Sequence, residues 1–177
     1  DVPLAIAATR RKFPECTIVV APALGVHMSM IELAQSRVDA ILGRAEEEQA
    51  KTTLLVVGRG SSDPDANGDF CKVVRLITEG RALSHVESAF VAITKPSVAM
   101  ALEKIARLRP QRLVVLPYLL FAGRLVEELN QQIGDFSARH PWIIAQVAPH
   151  LGLDHRLLSL VDERVDQPVH DRRDQLA

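Results

Sequence analysis

Apolar and polar positions in this chain come in alternating blocks: short unbroken apolar runs, then longer stretches whose apolar residues recur every three or four positions. Leu54, Leu55, Val56 and Val57 form such a run without polar alternation, the pattern of a strand buried on both faces of a parallel sheet. On this basis strands are expected at Thr17 to Ala21, around Leu54 to Val57, and at Ala89 to Ile93, Arg112 to Leu119 and Ile143 to Val147. Helical spacing predicts helices at Val2 to Lys12, Phe70 to Ile77, Ser97 to Leu108, Leu125 to Phe136 and Asp154 to Val165. A further long helix follows the turn Pro22 to Gly25, with Ile31, Ala34, Val38, Ile41, Leu42 and Ala45 as its apolar face. Alternation of strand and helix means βαβ units, hence an α/β fold with a mostly parallel sheet and helices on both faces. Residues 168–177 lack periodicity and are expected to be a frayed tail.

The stretch Thr53 to Asp69, TLLVVGRGSSDPDANGD, is the candidate site. Open α/β sheets bind ligands at strand carboxyl ends, and there Gly58 and Gly60 allow a sharp bend. Arg59, Ser61, Ser62 and Asp63 bring a cation, two hydroxyls and a carboxylate into that crevice. Asp63 and Pro64 also read as a helix N-cap and first helical residue. Arg59 and Arg124 have forked guanidinium groups suited to carboxylates, although Arg59 would equally tie the turn down through Asp63 or a backbone carbonyl. His27 stands at a turn-to-helix junction, where a cap or a metal ligand are both readings. His150 and His155 flank a similar turn, and His85, His140 and His170 read as surface residues. Tyr118 and Phe121 offer either an apolar wall or core packing. DxDxNG at Asp63 to Gly68 imitates half a calcium loop but has Val74 where the bidentate Glu belongs. GRGSS lacks the features of a P-loop, a dinucleotide fingerprint or a nucleophile elbow.

Composition narrows the partners. With 177 residues, 47% hydrophobic, 24% charged and a formal net charge of -1, the chain suits a globular domain and not nucleic acid binding. No apolar run reaches the twenty or so residues of a membrane span. Cys16 and Cys71 have no paired spacing, which fits a reducing cytoplasm, and the N-terminal residues do not read as a signal peptide.

An internal repeat with an offset of 127 relates Pro14, Ala21, Pro22, Leu24 and Gly25 to Pro141, Ala148, Pro149, Leu151 and Gly152. It continues without a gap through Leu33, Arg37, Val38 and Asp39, which meet Leu160, Arg164, Val165 and Asp166. Residues 1–50 are thus expected to be the last third of one lobe, and residues 51–167 a second, more complete lobe. Roughly seventy residues of the first copy would lie upstream. Residues 1–50 then need apolar cover from the second lobe or another copy of the chain.

VVGRGSSDPDAN, LPYLLFAGRLVEEL and the paired turns APALGVH and APHLGLD resemble the sirohydrochlorin chelatases in their long, two-lobed form. The resemblance implies a class II, ATP-independent chelatase of flavodoxin-like fold that inserts cobalt or iron into sirohydrochlorin, a polycarboxylate tetrapyrrole. The metal would be a substrate, cobalt first with iron or nickel as alternatives, and no organic cofactor is implied. In that family histidines stand where this lobe has Arg59 and Arg124, and they deliver metal and accept pyrrole protons. Arginine stays protonated and can do neither. The catalytic histidines are therefore expected upstream of Asp1, leaving Arg59, Ser61, Ser62, Asp63 and Arg124 as substrate-binding candidates and His27 as the metal candidate. The alternative is a non-catalytic tetrapyrrole-binding or structural lobe.

Overall fold

The computed structural model of the protein describes residues 2–43 and 45–167; the expected tail, 168–177, and His170 lie outside the described residues. Four strands, β1 (Thr52–Gly58), β2 (His85–Phe90), β3 (Arg112–Pro117) and β4 (Ile144–Val147), form a wholly parallel sheet in the order β2-β1-β3-β4. β1 is buried along its whole length, which is why its sequence shows no alternation. Leu55 and Val57 point with Leu113 and Val115 to one face, where they meet Leu102 and Ile105 of α5 (Val98–Leu108) and Leu129, Ile133 and Phe136 of α6 (Arg124–Arg139). Leu54, Val56, Val114 and Leu116 belong by alternation to the other face, covered by α2 (Met28–Leu42) and α4 (Pro64–Ile77). Each fully buried Leu or Ile contributes about 1.5–3 kcal/mol of hydrophobic stabilisation.

The remaining elements are α1 (Val2–Lys12), the exposed single turn α3 (Glu46–Gln49) and α7 (His155–Asp166). Among the described residues the fold divides into two compact units, one drawn from residues 25–158 and one made of residues 2–24 with 159–167. Within the larger unit α2 packs on α4 and β3. On α2, Met30 and Leu33 are buried, whereas Ile41 is half-buried and Ala45 lies exposed beyond the helix end.

Several expectations are corrected by the structure. Thr17 to Ala21 forms no strand, and Val19 is 63% exposed. A parallel strand exists only as part of a ladder, and among the described residues nothing pairs with it. The strand expected at Ala89 to Ile93 is instead His85–Phe90, four residues earlier. Its polar half is satisfied locally: Glu87 is held by Lys104 at 2.5 Å and His85 at 3.2 Å, and these bonds keep its carboxyl below the usual range although burial opposes them. Ile93 has left the strand altogether, with φ 67. β3 stops at Pro117 and α6 runs from Arg124 to Arg139, while α4 begins at Pro64, the residue read as its first helical position, and includes the expected stretch Phe70 to Ile77. His140 is half-buried rather than freely exposed; its ring packs on Phe136 at 4.6 Å and Trp142 at 5.1 Å, with Nδ1 buried and unpartnered.

Candidate functional site

β1 and β3 are neighbours with Val57 opposite Pro117, so the turns leaving their carboxyl ends share one edge of the sheet. The turn after β1 depends on Gly60, whose φ is +88 and where a Cβ would stand 2.2 Å from the Ala92 carbonyl oxygen. Its shape is then fixed by hydrogen bonds. Ser61 N donates to Asn67 Oδ1 at 3.0 Å, and Asn67 Nδ2 donates back to Ser61 O at 2.8 Å. Asp63 N donates to Ser61 Oγ at 3.0 Å, while the Asp63 carboxylate accepts from Asp65 N at 3.0 Å and so caps α4. Ser61 and Asp63 therefore build the turn. Asn67, absent from the expected site, is its clamp; the signal was present, a short amide one helical turn inside an N-cap.

Arg59 is different. It is exposed, and among the described residues its side chain makes no hydrogen bond or ion pair, so the tie to Asp63 or a carbonyl is not formed. It lines an open hollow of ≈ 510 Å³ together with Tyr118, Phe121, Gly123, Arg124 and Leu125. The structure thus brings Arg59 and Arg124 together, whereas Ser61, Ser62, Asp63 and His27 do not line this hollow. Arg124 holds Glu128 at 2.6 Å, a bond that raises the guanidinium pKa further; an exposed pair of this kind exchanges readily for another anion. α6 begins at the same wall without a side-chain cap on Gly123, so the positive end of its dipole lies at the rim of the hollow.

The apolar side is equally defined. Tyr118 packs against Phe70 in a tilted pair with ring centroids 5.8 Å apart, and burial pushes its phenol up to about 12, so it stays neutral. Phe121 is 67% exposed, which rules out core packing as its role. His27 caps α2, its Nδ1 accepting from Ser29 N at 3.2 Å. Among the described residues no group of three or more His, Cys, Asp or Glu side chains converges as a metal centre would require. Chemically, the rim offers two guanidinium groups, a helix N-terminus and an aromatic wall: donors and cations for several carboxylates beside a surface for a flat apolar body.

The CbiX family pattern matches residues 53–168. Over 166 residues the chain is 31% identical to a sirohydrochlorin cobaltochelatase of Priestia megaterium, covering 94% of this chain and 54% of that protein. A sirohydrochlorin ferrochelatase of the same organism is 26% identical over 165 residues, covering 93% and 60%. Among solved structures, SirB from Bacillus subtilis with Fe3+ superposes with a TM-score of 0.74 at 21% identity, over 98% of this chain and 67% of that one. The chain therefore spans 54% and 60% of the length of the two relatives.

Proposed function

Because the chain belongs to the CbiX family, we propose that it is the substrate-holding part of an ATP-independent sirohydrochlorin chelatase. In this reading Arg59, Arg124 and the α6 N-terminus grip the carboxylate arms of the tetrapyrrole, and Phe121 lies along its face. The observation that carries the reading is Arg59, unpartnered among the described residues, beside an uncapped helix N-terminus in an apolar-walled hollow. The divalent metal is the second substrate. Its delivery and the uptake of pyrrole protons need neutral imidazoles, which we assign to residues upstream of Asp1, because a guanidinium is protonated at every physiological pH. Cobalt is the metal favoured by the higher identity to the cobaltochelatase, with iron second. Cys16 and Cys71, both free and exposed, suit a reducing cytoplasm, and among the described residues no helix is long and apolar enough to cross a membrane.

The reading is tested by titrating the 177-residue chain with sirohydrochlorin and following the shift of its visible absorbance. Arg59→Gln should weaken binding by about ten- to a hundredfold, and Arg124→Gln by somewhat less because its bond to Glu128 must first be exchanged. With cobalt added, insertion should remain at the spontaneous rate. Unchanged affinity in both variants would remove the proposed grip; fast insertion abolished by His27→Ala would move the metal site into this chain. A purely binding lobe has the same hollow, and the coding sequence upstream of Asp1, with or without paired histidine turns, separates that alternative.

A further inference from the structure

The order β2-β1-β3 sets three loops side by side at the carboxyl edge of the sheet: Ile93 follows β2, Arg59 follows β1 and Phe121 follows β3. The registers keep them level, since Gly58 stands opposite Phe90 and Val57 opposite Pro117. All three side chains are exposed, Ile93 at 63%.

Ile93 is held there against its own preference. Thr94 N donates to the Ala92 carbonyl at 2.7 Å, closing a three-residue γ-turn around Ile93, whose φ is 67. A positive φ at the centre of a γ-turn is the rarer, strained form, and a β-branched residue is the least suited to it. The turn is anchored to the neighbouring loop: Val91 N donates to Gly58 O at 2.9 Å and Ala92 N to Arg59 O at 3.0 Å. On the Arg59 side, only a glycine at position 60 leaves room for the Ala92 carbonyl. Two positive-φ residues thus serve one arrangement, which holds an aliphatic side chain out in water where burial offers it nothing.

We propose that Ile93 is a positioning contact for the apolar face of the bound ligand, so that Ile93, Arg59 and Phe121 form an apolar–cationic–apolar row fitted to a planar body with anionic margins. This rests on the reading of the hollow as a tetrapyrrole site. The row assigns separate tasks: Arg59 grips a carboxylate, while Ile93 and Phe121 press on the ring on either side of it. Strain retained at a ligand edge is typical of residues whose backbone is shaped for contact and not for stability.

The test uses the full 177-residue chain, sirohydrochlorin as the probe, and two readouts with opposite expected signs. Ile93→Gly removes both the side chain and the strain; it should raise the thermal midpoint by about 2–4 °C while weakening sirohydrochlorin binding by on the order of tenfold. Ile93→Val keeps a branched side chain and should bind within about twofold of the parent. Arg59→Gln serves as the control for the underlying reading. If Ile93→Gly binds as tightly as the parent while Arg59→Gln is weakened, the inference fails and the site reading stands. Should neither substitution alter the affinity, or the parent bind nothing, both fail together.

Discussion

Segments 14–39 and 141–166 have closely matching sequences at an offset of 127, and their turns adopt one local conformation. Gly25 has φ 59 and Gly152 φ 67; two residues on, His27 accepts from Ser29 N at 3.2 Å and Asp154 from Arg156 N at 3.1 Å. The arginines that follow behave alike too: Arg37 donates to Leu151 O at 2.8 Å and Arg164 to Ala23 O at 3.2 Å, each reaching the turn that belongs to the other segment. What differs is the strand before the turn. Ile144–Val147 is paired with β3, whereas Thr17 to Ala21, its counterpart, has no ladder partner among the described residues. Caps and left-handed glycines are decided within a few residues, but a parallel strand is decided by its neighbour.

The largest effect should appear in amide exchange. Ile144 N and Ala148 N are bonded to Gln111 O and Val115 O and should exchange at least a hundredfold more slowly than the amides of Val19 and Val20. Equal protection at both places would mean that Thr17 to Ala21 pairs in solution, for instance with another copy of the chain, and would dissolve the contrast.

Next in size is the cap chemistry. The Asp154 carboxylate accepts from Arg156 Nε at 2.9 Å and lies 3.4 Å from Arg37, and the Arg156 bonds hold its pKa well below the usual carboxylate range. Asp154→Ala should therefore cost about 2–4 kcal/mol in urea denaturation, against about 0.5–1 kcal/mol for His27→Ala, which removes the side-chain cap on Ser29 N. Since the folded-state pKa is the lower one, the Asp154 contribution is complete above the unfolded value of about 4 and fades as pH falls below it. The difference between the parent and Asp154→Ala should accordingly shrink in denaturation curves taken at pH 4, 3 and 2.

A smaller effect than that of Asp154→Ala sharpens the likeness itself. Gly25→Ala and Gly152→Ala should each cost about 1–2 kcal/mol, because both place a Cβ at positive φ. A cost at one position alone would show that the two turns differ in rigidity despite their shared geometry.

Sequence by itself determined the class of fold, since continuous apolar runs separated by amphipathic stretches can be buried only in a parallel sheet covered on both faces. It also determined the Asp63 cap, Pro64 at the first helical position and the turn glycines, all matters of local sterics and hydrogen bonding. Of the site, Arg59 and Arg124 were legible as cations at strand ends, and Phe121 as one of two readings. Tertiary structure alone decided that Arg59 and Arg124 share a hollow while Ser61 and Asp63 are spent on the turn, because hydrogen-bond partners depend on which atoms the chain brings within about 3 Å. It decided likewise that β2 begins at the polar His85 and that Ile93 stands out of the strand: ladder partners and the Lys104 charge outweigh the preference of one β-branched residue for extended backbone.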